Sequence, residues 1–78
     1  MTLCIITPLG KALEVSTLKV FLPGGAGAFE VLRGHAPLVS TLTAGTIRYE
    51  QDGVLKEYPV TGGFVKVDNN MVLVCTEK

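Results

Sequence analysis

His35 is the only histidine in a chain of 78 residues. It lies in the run Gly34-His35-Ala36-Pro37-Leu38, and no acid or other base stands between Arg33 and Arg48. A histidine acting as general base needs a nucleophile or an orienting acid beside it in space. The sequence offers Ser16, Ser40, Cys4, Cys75 and scattered acids, but no Gly-x-Ser-x-Gly elbow and no cysteine in an active-site context. A metal site would need two or three further ligands, and no local Cys/His/Asp cluster supplies them. The residue types around His35 favour a contact residue in a loop, its ring packed on Pro37 and its nitrogens bonded to backbone.

Two glycine-rich stretches invite other chemistry. Gly24-Gly25-Ala26-Gly27-Ala28 has the look of a phosphate loop but lacks the Gly-Lys-Ser/Thr ending. A β-like stretch follows it, not the helix whose N-terminus would hold a phosphate. It reads as a turn between strands, or as a place where backbone comes close to another protein. Thr61-Gly62-Gly63-Phe64 reads as a bulge or corner, or as a flat surface poor in side chains for a partner. In that second case a bulky residue at Gly62 or Gly63 is expected to weaken partner binding and leave the fold mostly intact. Phe64 and Val65 then point to opposite faces, with one of them exposed.

The elements that must position these residues are strands. Valine, isoleucine, threonine, phenylalanine and tyrosine fill the ordered stretches, and turn residues recur every few positions. The pattern predicts strands over 3–7, 12–15, 17–22, 28–32, 38–42, 46–51, 54–60, 64–67 and 71–76. Within 17–22, Leu18, Val20 and Leu22 alternate with Thr17 and Lys19, which predicts one buried face. Asp52-Gly53 is the strongest turn signal, since both residues tolerate positive φ. Pro59 lacks an amide hydrogen and is expected on an edge or at a bulge. The last strand is apolar on both faces, so it is expected to be central or covered. No amphipathic helix, repeat or linker is evident. The fold class predicted is all-β, a single domain over 1–78.

Composition narrows the function classes. Seven basic residues balance seven acidic ones, so there is no basic stripe for nucleic acid and no polybasic patch for lipid. No apolar run approaches the roughly 18 residues of a membrane span, and the start lacks the charged region of a signal peptide. The chain reads as soluble and intracellular. Cys4 and Cys75 each lie in an apolar run and read as buried or half-buried thiols, although a bridge is possible if their strands pair. Only 18% of the residues are charged, against roughly 25% in an average domain. A small domain has much surface to cover, so apolar residues must stay outside its core. A contiguous exposed apolar patch marks an interaction surface.

Several segments together resemble the epsilon subunit of the F-type ATP synthase. They are Thr7-Pro8-Leu9-Gly10-Lys11, the run from Val20 to Leu38 that ends in Gly-His-Ala-Pro-Leu, Ala44-Gly45-Thr46-Ile47-Arg48-Tyr49, and Val60-Thr61-Gly62-Gly63-Phe64-Val65-Lys66-Val67. The resemblance runs through nearly the whole chain. It implies a two-sheet antiparallel β-sandwich of about ten short strands. It implies a non-catalytic rotor subunit, without cofactor or metal, in a proton-transporting ATP synthase. The subunit would clamp gamma to the c-subunit ring, act only indirectly on the alpha/beta catalytic head, and bind no nucleic acid. It would sit peripherally on the cytoplasmic face of a bacterial inner membrane, without inserting into it. The implied ring contacts are Ala28, Phe29, Glu30 and His35. The implied gamma contacts are Thr7, Ser40, Thr61, Gly62, Gly63 and Lys66.

The chain departs from the family pattern at Ala28, where an acidic residue is common, and at Arg33, where proline is common. Any charge pairing with the ring is then left to Glu30 or Arg33. The family sandwich also continues into a helical hairpin used to inhibit ATP hydrolysis. A chain ending at Lys78 is expected to clamp without that brake. The alternatives are a free-standing β-sandwich adaptor or ligand-binding module, with a pocket under the His35 loop, and, last, a small hydrolase or metal enzyme using His35.

Overall fold

The computed structural model describes residues 1–77. They form nine strands: β1 (Thr2–Thr7), β2 (Gly10–Ser16), β3 (Lys19–Leu22), β4 (Phe29–Leu32), β5 (Leu38–Leu42), β6 (Gly45–Gln51), β7 (Val54–Val60), β8 (Gly63–Asp68) and β9 (Met71–Thr76). There is no helix among the described residues. The strands make a five-stranded sheet, β2-β1-β9-β8-β5, and a four-stranded sheet, β4-β3-β6-β7. The sandwich is therefore all-β as the sequence predicts, with nine strands where the resemblance implied about ten.

All neighbours pair antiparallel except β1 and β9, which run parallel. Two-residue loops join β6 to β7 and β8 to β9. Each takes the backbone that strand twist demands: Asp52 and Gly53 have φ of 53° and 77°, Asn69 and Asn70 have 52° and 64°. Pro59 lies on β7, an edge strand, opposite Thr46, where its missing N–H breaks no ladder. β9 is central, between β1 and β8.

Strand alternation aims one face of each sheet at the other. Leu3, Ile5, Val65, Val72 and Val74 come from the five-stranded sheet; Val20, Leu22, Val31 and Ile47 come from the four-stranded one. Each of these is fully or almost fully buried. Burying one such side chain contributes about 1.5–3 kcal/mol, and this single layer is the core.

One expected alternation fails. Val20 and Leu22 point inward, but Leu18 is 62% exposed and Thr17 is buried. The Thr17 hydroxyl lies 2.6 Å from the carbonyl oxygen of Glu50 and 3.0 Å from that of Lys19. The Thr17 amide donates to the Met1 carbonyl at 2.9 Å, and the N-terminal ammonium donates to the Thr17 carbonyl at 3.1 Å. These bonds pin Thr17 inside and turn Leu18 out before β3 begins at Lys19.

The two cysteines are free thiols. Cys4 stands opposite Leu73, and Cys75 opposite Ile6. They share a face of the sheet but are offset by two residues, which puts their Cα atoms roughly 8 Å apart at ordinary strand spacing. A disulfide spans less than that.

Candidate interaction surface

The outward faces of the two sheets differ in chemistry. On the five-stranded sheet the residues alternating with the core include Cys4, Ile6, Phe64, Leu73, Cys75 and Met71. Phe64 is 52% exposed and Met71 43%, while Ile6, Leu73 and Cys75 are half-buried. Val39 on β5 continues the patch to the sheet edge, 72% exposed. Lys66 and Asp68 stand beside it, and a cavity of about 340 Å³ opens between Lys66, Asp68, Asn69, Met71 and Leu73.

The four-stranded sheet presents ions interleaved with apolar residues, including Leu32 and Leu55, each about half exposed. Arg48 and Glu57 pair across β6 and β7 at 3.3 Å, and Lys19 and Glu50 approach to 4.0 Å. Phe21 sits between Arg48 and Glu30 in register. The smaller cavity on this side, about 270 Å³, is lined by Phe21, Leu22, Pro23, Ala28, Thr46 and Arg48. On the first sheet's margin, the Glu14 carboxylate bonds the Lys11 ammonium at 3.0 Å and raises its pKa, mainly through that hydrogen bond.

The two ends of the sandwich also differ. One carries the β1–β2 turn, the loop 23–28, the connection 43–45 and Thr61-Gly62. The other carries the Arg33–Pro37 loop and the turns at Asp52-Gly53 and Asn69-Asn70. Bonds between loops tie the first end together. Gly24 bridges to Leu42, the Gly25 amide donates to the Thr41 carbonyl at 2.9 Å, and the Thr43 amide donates to the Pro23 carbonyl at 2.8 Å.

The residues singled out from the sequence fall into place around these surfaces. Thr7, Thr61, Gly62 and Gly63 lie at the first end, on or beside the five-stranded sheet. Lys66 projects from that sheet's outer face, beside the cavity. Ser40 is on the same sheet but on its inner face, in phase with Leu38 and Leu42 and opposite Val65, half-buried, its hydroxyl donating to the Thr41 carbonyl. Ala28 is exposed at the start of β4, Phe29 is half-buried against the core, and Glu30 points outward. His35 is exposed beyond the far end of β4, its Nδ1 2.6 Å from the Ala36 carbonyl oxygen and its amide donating to the Leu32 carbonyl. The set Ala28, Phe29, Glu30 and His35 is thus a strip along an edge strand, not a cluster.

Gly63 corrects one expectation. Its φ is +137°, and a Cβ there would run into the Cys75 carbonyl oxygen, with Thr76 Cα at 3.0 Å. A substitution damages the β8–β9 ladder itself, so it does not leave the fold intact. At Gly62, φ is +155° and a Cβ would meet the Glu77 side chain at 3.1 Å, a flexible neighbour.

Among the described residues no three His, Cys, Asp or Glu side chains come together as a metal site. No buried side-chain nitrogen or oxygen there lacks a hydrogen-bond partner. Sequence reasoning missed Leu9 and Val39 as exposed apolar residues. Leu9 was open to detection, because it lies in a turn. Val39 was not, because its face depends on how β5 pairs.

The fold and its surfaces define a two-sheet β-sandwich with an apolar row on the outer face of the five-stranded sheet and ions interleaved with apolar residues on that of the four-stranded one. The chain belongs to the ATP synthase delta/epsilon chain β-sandwich domain family, whose pattern matches residues 1–78. It is 38% identical over 76 residues to the ATP synthase epsilon chain of Desulfitobacterium hafniense, and 42% identical over 78 residues to that of Symbiobacterium thermophilum. Those matches cover 97% and 99% of this chain but 58% and 56% of the relatives, so the chain spans little more than half their length. Two cryo-EM structures share the fold. A chain of the Euglena gracilis mitochondrial ATP synthase (OSCP/F1/c-ring) superposes with a TM-score of 0.89 at 24% identity, covering 97% of this chain and 49% of its own. One from the Tetrahymena thermophila mitochondrial ATP synthase central stalk/c-ring gives 0.80 at 15%, covering 99% and 63%.

Proposed function

We propose that this sandwich is the clamp of a non-catalytic central-stalk subunit in a rotary, proton-transporting F-type ATP synthase. It holds gamma to the c-subunit ring, so that ion-driven rotation reaches the alpha/beta catalytic head as torque. The observation that supports the reading most is the apolar row of Ile6, Cys75 and Phe64, in register across three strands of the five-stranded sheet. An apolar face removed from water by a partner is not weakened by salt, as exposed ion pairs are.

Gamma docks on the outer face of the five-stranded sheet and over its rim, taking in Lys66, Thr7, Thr61, Gly62 and Gly63. Ser40 contributes by fixing β5, not by touching gamma directly. The ring is met along β4 by Ala28, Phe29 and Glu30. β4 is an edge strand of about 13 Å, so a partner lying along it reaches His35 as well. No proton transfer, metal or cofactor is needed for such a role; the work is mechanical. The subunit sits peripherally on the cytoplasmic face of a bacterial inner membrane without entering it. The described residues hold no helix to insert into the head, so they supply the clamp and not a helical brake.

The test is co-purification. The tagged chain is expressed in its source cells, and membranes are solubilised gently. Gamma, the c ring and the alpha and beta subunits are expected to elute with it. Elution alone, or with unrelated proteins, would overturn the rotor reading in favour of an adaptor.

A further inference from the structure

From the pattern of the five-stranded sheet's outer face we infer that this face pairs with a second copy of the chain, in a two-fold dimer where Phe64 of each copy enters the other's cavity. This dimer concerns the chain alone and is independent of the rotor reading, although the two occupants would share one face.

The register of β9 and β8 lays the face out in rows. Cys75 and Phe64 stand side by side in one row, Leu73 and Lys66 in the next, Met71 and Asp68 in the third. Lys66 and Asp68 are two residues apart on β8 and project from the same face. Neither forms an ion pair with the other or with any other described residue. The cavity of about 340 Å³ opens between them and Met71 and Leu73. Phe64 stands next along β8, 52% exposed. A projecting ring, a hollow, an unpaired cation and an unpaired anion thus share one small surface.

A two-fold interface must be self-complementary, because the same patch meets itself. An axis lying across the strands at the level of Val67 and Val72 meets that condition. It reverses the strand direction in the second copy. Lys66 then faces the second copy's Asp68, Leu73 faces Met71, and Phe64 comes over the Asn69 side of the other cavity. At the margin Glu14, already bonded to Lys11, comes opposite Ser16, so no like charges meet. Moving the axis one residue, to the level of Lys66, would set lysine against lysine. The charges therefore fix the register.

The same balance argues for a second copy over other occupants. A lipid surface or a nucleic acid would call for an excess of lysine and arginine, whereas here Asp68 offsets Lys66. The Cα atoms extend over 26 × 22 × 19 Å. A face of that extent lies below the ~800 Å² that each partner buries in a standard interface, so the dimer is weak and depends on concentration.

Sedimentation equilibrium over about 1 μM to 1 mM, the range of a weak complex, tests the dimer. It follows the unaltered chain, Phe64→Ser, Lys66→Asp and the swapped pair Lys66→Asp/Asp68→Lys, with circular dichroism checking the fold of each. The unaltered chain is expected to pass from monomer to dimer as concentration rises. Phe64→Ser and Lys66→Asp are each expected to raise the dissociation constant about tenfold or more. The swapped pair is expected to restore it, because each lysine again faces an aspartate. A chain that stays monomeric throughout overturns the dimer, leaves the face to an unlike partner and does not touch the rotor reading. A dimer indifferent to Phe64→Ser and Lys66→Asp overturns it by placing the contact elsewhere. A swapped pair as weak as Lys66→Asp alone overturns it too.

Discussion

The two outer faces of the sandwich are built on the same alternation, yet they arrange ions and apolar residues differently. On the four-stranded sheet the outward positions of β3, β6 and β7 carry Lys19, Arg48, Glu50 and Glu57, paired across strands, with Phe21 and Leu55 among them. On the five-stranded sheet the outward positions of β1, β8 and β9 carry Ile6, Phe64, Leu73 and Cys75. Water solvates the ions of the first face, which interrupt its apolar residues. The second leaves apolar area in water that a partner can cover, at about 25 cal/mol per Å². A strand's outward row is free to be polar, so an apolar row is a candidate interaction surface.

Changes that reach the shared interior should erase the difference by removing both faces at once. Gly63→Ala forces a Cβ onto the Cys75 carbonyl at a φ of +137°. It is expected to destabilise by about 3 kcal/mol, the sum of strain and overpacking, and a domain of this size has roughly 3–5 kcal/mol to lose. Urea denaturation followed by circular dichroism reads it; a midpoint near that of the unaltered chain would show that β8 and β9 can separate without penalty.

A change confined to the apolar face should separate binding from stability. Phe64→Ser is expected to shift stability by no more than about 0.5 kcal/mol while cutting gamma binding at least tenfold. Undiminished binding in a titration would move the docking surface off the five-stranded sheet.

The smallest effect belongs to the charged face. Arg48→Ala removes an exposed pair worth at most about 1 kcal/mol. It is expected to leave gamma binding unchanged and to make stability slightly less sensitive to salt. A tenfold loss of gamma binding would reverse the assignment of the faces.

The local rules were readable in the chain. Asp52-Gly53 marked its hairpin, Pro59 its edge strand, and the apolar run 71–76 its central strand, because each depends on neighbours in sequence. What depended on distant partners was not readable. Leu18 looked inward by alternation, but Thr17 is captured by Met1 and Glu50 and reverses the phase. Cys4 and Cys75 gave no hint that they share a face two residues out of step. The proposed ring contacts looked like one short motif, whereas β4 sets Ala28 and His35 at opposite ends. The surplus of apolar residues was present in the composition, but only the strand register shows that Ile6, Cys75 and Phe64 align in a row across β1, β9 and β8, while Leu32 and Leu55 stand among the ions of the other sheet.

The parallel pairing of β1 with β9 bears on how the domain withstands load. Residues 2–6 of the first strand lie in register with 71–75 of the last. Tension applied at Met1 and Thr76 pulls these neighbours past each other along their length, because they run in the same direction. Their hydrogen bonds then resist in shear, sharing the force, where an antiparallel hairpin pulled at its open end would unzip one bond at a time. The central seam of the five-stranded sheet is thus oriented to carry load in shear, and single-molecule stretching between those two points should rupture it in one high-force event.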